Sequence, residues 1–181
     1  MQEIIAAYRR ALEQAPQNAE LHLDLGLALE QGGDPGSALP CFCEAVRLRP
    51  DFVEAWNILG IAWRKRGRWG EAIAAYRRAL EIQPAFPECW NNLGVALQQQ
   101  SDLEQAMAAY QRALDYRPDL AETCVNLANV QRQVGLLEEG VATCRRAIGA
   151  APDYPAAWLC LGRIQRDRQQ PDQAVESLSR A

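Results

Sequence analysis

Histidine is nearly absent from this sequence of 181 residues, in which His22 is the only one. The six cysteines include no Cys-x-x-Cys pair, so together with a single histidine they offer no zinc-ligand spacing. A nucleophile with its base and orienting partner cannot be assembled from what remains. The sequence therefore predicts no metal site, no cofactor and no enzymatic activity.

Long apolar runs and an excess of positive charge are also missing. No stretch of about 18 uninterrupted apolar residues occurs, which excludes a membrane span. The net charge is −4, with a pI near 5.1, and Lys65 is the only lysine. Nucleic-acid binding needs a basic face and is not expected. Most cysteines occupy places that suit a helix interface, which predicts buried or half-buried thiols in a reducing, cytoplasmic compartment.

What the sequence does contain is a repeat of 34 residues. Small residues recur at the eighth place of each copy, tryptophan at the fourth and an aromatic at the twenty-fourth. A small residue lets two helices approach closely, and the aromatic fills the groove between them. The prolines that mark the period are Pro16, Pro50, Pro84, Pro118 and Pro152, and the eighth places hold Gly26, Gly60, Gly94, Ala128 and Gly162.

The copy at residues 87–120 contains two short amphipathic helices. Apolar residues recur at helical spacing in its first half and again in its second half. Between the two halves, Ser101 and Asp102 offer N-capping oxygens for the second helix. Pro118 ends that helix because proline cannot continue it. The repeating unit is therefore predicted to be helix, tight turn, helix.

These residues resemble the tetratricopeptide repeat, whose signature is Trp, Leu-Gly, Tyr, Ala, Phe, Ala and Pro at the same places of a 34-residue helix-turn-helix. The resemblance covers essentially the whole chain. It implies an all-α fold, an α-solenoid of stacked repeats forming a right-handed superhelix. The expected organisation is a single array over 1–181, with a second helix alone at 1–18, complete repeats at 19–52, 53–86, 87–120 and 121–154, and a truncated repeat at 155–181.

Some positions depart from the signature or invite a specific prediction. His22 and Cys124 replace the tryptophan and Cys144 replaces the second-helix aromatic, so looser packing is expected in their repeats. Trp90 is predicted to be deeply buried. Pro40 lies inside a second helix, where it removes one backbone hydrogen bond, and it predicts a late start or a kink in that helix.

The family resemblance also implies where a ligand would bind. First helices line the concave face of the superhelix in this family, so the second, fifth, sixth, ninth, twelfth and thirteenth places of each repeat should face a groove. Amide side chains there can donate and accept at once and so pair with an extended peptide backbone. The predicted peptide-binding residues are Asn57, Asn91, Asn92, Asn126, Asn129, Arg132 and Arg163.

Two of these residues suggest a closer relationship. Asn92 and Asn126 occupy the place of the peptide-contacting asparagine ladder in the repeats of O-linked N-acetylglucosamine transferases, which the surrounding Asn-Leu-Gly and Asn-Leu-Ala resemble. The ladder is incomplete, because Asp24, Ile58 and Cys160 hold the matching places. Asparagine near the start of a helix is also explained by local backbone bonding.

A row of glutamates at the second place is explained by helix electrostatics. A carboxylate near a helix N-terminus interacts favourably with the helix dipole. The row consists of Glu20, Glu54, Glu88 and Glu122.

The sequence thus predicts a non-catalytic scaffold that binds a protein or an extended peptide. The alternative is the substrate-recruiting arm of a larger enzyme, such as a bacterial protein glycosyltransferase. Both ends carry apolar side chains with no covering helix: Ile4, Ile5 and Tyr8 at one end, Val175 and Leu178 at the other. Such ends indicate either a longer parent array or self-association.

Overall fold

The computed structural model describes Met1–Ala181 and contains eleven α-helices and no strand, which confirms the all-α class. The helices are α1 Gln2–Gln14, α2 Ala19–Gln31, α3 Pro35–Leu48, α4 Val53–Lys65, α5 Trp69–Ile82, α6 Pro87–Gln99, α7 Leu103–Tyr116, α8 Ala121–Gln133, α9 Leu137–Ala150, α10 Pro155–Asp167 and α11 Pro171–Ser179. We call the even-numbered helices first helices and the odd-numbered ones second helices. None of them is both long and apolar enough to cross a membrane.

The chain forms two compact units. The first unit is Met1–Pro84, with α1 to α5, and the second unit is Ala85–Ala181, with α6 to α11. In the first unit α2 packs on α3 and α4 on α5, while α1 contacts α2 and α3 contacts α4. The pairs of the second unit are α6 with α7, α8 with α9 and α10 with α11, and each pair contacts the next. Within each unit the helix pairs stack as in an α-solenoid, because each helix packs mainly on its neighbours in the chain.

Short polar side chains begin several of the helices. The Oδ1 atom of Asn18 accepts hydrogen bonds from the backbone of Glu20 at 3.0 Å and of Leu21 at 3.1 Å, which caps α2. Asp102 caps α7 in the same way by accepting from Gln105, as the sequence predicts. Ser101 does not cap. Its φ of 63° instead places it in the left-handed conformation that turns the chain between α6 and α7.

Helix α3 tolerates an internal proline. It begins at Pro35, where Asp34 accepts a hydrogen bond from the backbone of Ser37 at 3.1 Å, so the predicted late start is wrong. Pro40 cannot donate to the carbonyl group of Gly36. Both residues are exposed, and water can therefore satisfy that carbonyl group without any change in where the helix begins.

Three of the repeats place a glycine of the first helix against an aromatic ring of the second helix. A Cβ atom added to Gly26 would lie 2.4 Å from the ring of Phe42, and one added to Gly94 would lie 2.5 Å from the ring of Tyr110. Both rings are completely buried. Gly60 and Tyr76 form the same contact. The glycines are thus required by close approach, because no side chain fits between helix and ring.

The repeat at 121–154 has different residues at the same two places. Ala128 takes the place of the glycine and Cys144 the place of the aromatic, and both are completely buried. A larger residue on the first helix is therefore matched by a smaller one on the second. In the last repeat Gly162 faces Leu178, whose Cγ atom would lie 2.7 Å from an added Cβ atom. Replacement of the aromatic thus leaves Cys144 completely buried, whereas Leu178 is 43% exposed.

The fourth-place tryptophans are less buried than predicted. Trp90 is only half-buried, so the expectation of deep burial is wrong. In Trp56 and Trp158 the indole N–H group donates to the backbone carbonyl of the proline six residues earlier, at 3.0 and 2.7 Å. The Nε2 atom of His22 contacts the carbonyl oxygen of Pro16 at 2.9 Å. His22 therefore preserves this link between a first helix and the turn before it, with a smaller ring.

Candidate functional site

Two of the predicted amide side chains are joined by a hydrogen bond. In the second unit, Nδ2 of Asn126 on α8 donates to Oδ1 of Asn91 on α6 at 3.1 Å. The hydroxyl group of Thr123, which is almost completely buried, donates to the same oxygen at 3.1 Å. Both asparagines are half-buried. The two bonds fix the carboxamide of Asn91 and leave its N–H groups, together with Oδ1 of Asn126, for other partners.

The next pair of first helices is linked by other polar contacts. The thiol of Cys160 on α10 contacts Oδ1 of Asn129 on α8 at 3.4 Å. Arg132 donates to Oδ2 of Asp167 at 2.8 Å, and this bond holds the pKa of the Asp167 carboxyl below its usual value. Arg163 is exposed and forms no ion pair. Of the two predicted arginines, only Arg163 therefore presents an uncompensated charge.

The remaining predicted residues lie on two different helices. Asn92 is half-buried on α6, beside Asn91. Asn57 is half-buried on α4 and belongs to the first unit. The structure thus brings Asn91 and Asn126 into contact and places Asn129 beside a thiol of α10.

The sequence patterns described above do not predict the ion pairs between successive repeats. Lys65 pairs with Glu30 at 2.7 Å in the first unit, and Arg132 pairs with Asp167 at 2.8 Å in the second. In both pairs a residue at the twelfth place of one repeat contacts the thirteenth place of the next repeat. The acidic residue is at the twelfth place in the first pair and at the thirteenth place in the second. The sequence does contain a signal for these ion pairs, namely opposite charges 35 residues apart. A 34-residue period brings such residues onto the first helices of successive repeats.

The second-place glutamates also have partners that helix electrostatics alone does not predict. Glu20 pairs with Arg49 at 2.9 Å, and Glu88 pairs with Arg117. In both repeats the arginine follows the last residue of the second helix. The glutamate therefore ties the start of a first helix to the end of the second helix of the same repeat.

Four cysteines are packing residues. Cys89, Cys124, Cys144 and Cys160 are buried, as predicted, whereas Cys43 is exposed. Burial raises the pKa of the Cys89 thiol to about 12. The pKa of Cys144 is well above its usual value because of its hydrogen bond with Cys160 and its burial. Neutral thiols are poor nucleophiles, so both behave as small apolar side chains.

Comparisons with known proteins agree with this architecture. Models of the tetratricopeptide repeat family match residues 5–42, 23–88, 87–120 and 125–181. No curated protein sequence matches the chain.

Many solved structures share the fold. YrrB, described as a TPR protein with an unusual peptide-binding site, is 18% identical, with a TM-score of 0.81 over 96% of this chain and 90% of that one. MamA from Desulfovibrio magneticus RS-1 is 19% identical, with a TM-score of 0.82 over 89% and 91% of the two chains. The protein pilF from Pseudomonas aeruginosa is 19% identical, with a TM-score of 0.78 over 90% of this chain and 74% of that one. At these identities the likeness concerns the fold alone.

Proposed function

Because the chain belongs to the tetratricopeptide repeat family, we propose that it is a scaffold that binds a protein or an extended peptide and catalyses no reaction itself. The bound segment lies along the first helices, in the groove that such helices line in this family. The observation that carries the proposal is the contact between Asn91 and Asn126, two half-buried amides on adjacent first helices of the second unit. The peptide-binding site described for YrrB, which shares the fold, supports it.

Amide side chains suit a partner that presents its backbone. An asparagine can accept from a peptide N–H group and donate to a peptide carbonyl group at the same time. Each such bond contributes about 0.5–1.5 kcal/mol net, so several in a row are needed for useful affinity. Holding Asn91 in place through Thr123 and Asn126 reduces the entropy lost on binding. Asn57, Asn92, Asn129, Arg132 and Arg163 complete the proposed set.

Replacing Asn92 and Asn126 together with alanine is expected to weaken partner binding by at least about 1 kcal/mol, roughly fivefold in Kd. A partner is first isolated by affinity pull-down with the full chain, and its Kd is then measured by calorimetry. Gln111→Ala is the matched control, because Gln111 is an exposed amide on the second helix α7. Equal Kd values for the double variant and the control would place the binding surface elsewhere.

A second proposal is that the chain recruits substrates for a larger enzyme, such as a protein glycosyltransferase. It is favoured by the sixth-place asparagines Asn92 and Asn126, which match the ladder position of such repeats. The two proposals are separated by the full open reading frame, since a catalytic domain encoded beside these repeats supports the second one. We further propose a cytoplasmic location, for which six cysteines without disulfides are suited, and protein rather than nucleic acid as the partner.

We also propose self-association through the apolar end at α11. The side chain of Val175 is 68% exposed and that of Leu178 is 43% exposed. Leu178 packs on Gly162, so a charge there would disturb the fold as well as the surface. Val175→Glu is therefore the sharper test, because it adds a charge at the more exposed of the two positions.

Light scattering of the full chain is expected to show a mass that rises with concentration, and Val175→Glu is expected to reduce that rise. Ile4, in α1 at the other end of the chain, is 50% exposed. The variant Ile4→Glu adds the same charge there and is compared with Val175→Glu. A constant monomer mass for the unmodified chain would contradict self-association.

A further inference from the structure

A pocket of about 530 Å³ opens at the N-terminal end of α8, where the turn between α9 and α10 passes it. Glu122 and Asp153 give it two carboxylates, and neither forms an ion pair within the chain. All of its residues belong to the second unit. They are Ala121, Glu122, Ala151, Pro152, Asp153 and Tyr154.

The first unit has an arginine at the equivalent position. Arg49 pairs with Glu20 at 2.9 Å, and its guanidinium carbon lies 3.4 Å from the centroid of the Phe52 ring. The guanidinium group is thus held by a carboxylate and an aromatic face together. Glu88 and Arg117 form the same ion pair at the start of the second unit.

Three periods later in the sequence, two of these three groups are retained. Glu122 stands in the place of Glu20, and Tyr154 stands in the place of Phe52. Ala151 stands in the place of the arginine. The pocket is therefore the arginine site of the repeats at 19–52 and 87–120 without its arginine, and the repeat at 53–86 has Gln83 at this place.

The backbone around the missing side chain has not changed. Ala151 follows the last residue of its helix with φ −144° and ψ 87°, and Arg49 does so with φ −131° and ψ 89°. Arg117 has φ −141° and ψ 96°. The residue at this place projects its side chain from the same conformation in all three repeats, so the loss of the arginine leaves a space rather than a rearranged turn.

We propose that this pocket binds the arginine side chain of a protein partner. Its guanidinium group would pair with Glu122 and lie against the ring of Tyr154, and Asp153 adds a second negative charge. A guanidinium group is planar and stacks on an aromatic face while donating two parallel hydrogen bonds to a carboxylate, so arginine is favoured over lysine. The inference rests on the proposed function only in that a partner supplies the arginine.

The pocket can be tested without any partner. The full chain is labelled with ¹⁵N and titrated with N-acetyl-arginine amide, and the amide signals of Glu122, Asp153 and Tyr154 are expected to shift and saturate, with a Kd on the order of 10 mM. The lysine and citrulline analogues are expected to bind at least about tenfold more weakly, because the first cannot stack in the same way and the second is uncharged.

Substitutions distinguish binding in this pocket from nonspecific electrostatic attraction of the guanidinium group to acidic residues. Ala151→Arg is expected to abolish the shifts, because its side chain fills the pocket from within as Arg49 does in the first unit. Glu122→Gln is expected to weaken binding at least about tenfold. Glu20→Gln is the matched control with no effect, since that site is already occupied. Arg49→Ala opens the equivalent pocket and is expected to add a second set of shifts at Glu20 and Phe52.

Circular dichroism confirms that each variant is folded before it is compared. Shifts that are unchanged in Ala151→Arg and in Glu122→Gln, or that spread over all acidic residues, would overturn the proposal. Absence of any saturable shift in the unmodified chain would do the same. Partner binding that depends on Asn92 and Asn126 is measured separately. A pocket that binds no arginine and a groove that binds no partner therefore give different results.

Discussion

Truncation of Tyr110 to alanine is expected to lower the free energy of unfolding by about 3–5 kcal/mol, the range observed for large buried aromatics. The ring is completely buried between α7 and α6, where it packs on Gly94. Its hydroxyl group donates to Oε1 of Gln98 at 3.0 Å. Burial raises the pKa of Tyr110 well above its usual value, so the phenol stays protonated and able to donate. Urea unfolding followed by circular dichroism measures the loss.

Two further tyrosine variants divide this effect into its parts. Tyr110→Phe keeps the ring and removes only the hydrogen bond, so a loss of about 0.5–1.5 kcal/mol is expected. Tyr116 lies on the same helix with its side chain 45% exposed, and Tyr116→Ala is expected to change stability by no more than about 0.5 kcal/mol. If Tyr110→Ala were no more destabilising than Tyr116→Ala, the described packing of Tyr110 would be wrong.

Gly94→Ala is expected to destabilise the chain by about 1–3 kcal/mol, although alanine has the higher helix propensity. The new methyl carbon would lie 2.5 Å from Cε1 of Tyr110. Because the ring is enclosed on all sides, it cannot move away without displacing other core residues. The matched control is Gly149→Ala in α9, where nothing lies within 4 Å of the added carbon. That substitution is expected to stabilise the chain by about 0.5–1 kcal/mol.

A double variant tests whether the ring is the cause of the effect. In a chain that already carries Tyr110→Ala, the space beside Gly94 is open, and Gly94→Ala should lose most of its destabilising effect. An equal loss in both backgrounds would show that the strain at Gly94 arises elsewhere.

The helix pairs could be predicted from the sequence because the 34-residue period repeats the same local signals five times. Small residues, aromatics and prolines in register define which helices pair and where they stop. Of the two capping residues that the sequence predicts, Asp102 caps α7 and Ser101 does not. The late start expected from Pro40 does not occur, because the carbonyl group that it leaves without a helical donor, that of Gly36, is exposed to water, which a sequence period does not reveal.

Depth of burial was harder to predict than the face on which a residue lies. Trp90 was expected to be deeply buried, but the completely buried aromatic of its repeat is Tyr110. In Trp56 the indole N–H group bonds to a turn carbonyl at the edge of the repeat, which keeps such rings near the surface. Helical periodicity assigns both Trp90 and Tyr110 to the apolar face of a helix, but it does not show which of them is more deeply buried.

The polar contacts between repeats were the least predictable part of the candidate site. The amide row was predicted from places on the first helices, but the bond from Asn126 to Asn91 depends on side-chain rotamers. The pair between Arg132 and Asp167 could have been found from opposite charges 35 residues apart. Glu122 and Tyr154 indicate an arginine site only because the structure shows Arg49 in contact with their counterparts in the first unit, Glu20 and Phe52.

The matched sizes of Ala128 and Cys144 limit how this chain can be recombined. A crossover between α8 and a second helix carrying tyrosine would drive a methyl group into the ring, whereas joining α6 to α9 would leave a void beside Gly94. Crossovers in the turn between repeats keep each of these first-helix residues with its second-helix partner, but a crossover between α9 and α10 would separate Gly140 from Ile164, whose Cδ1 atom would lie 2.9 Å from an added Cβ atom. Exchange of whole two-helix repeats is therefore expected to preserve the contacts within a repeat, and exchange of single helices is not.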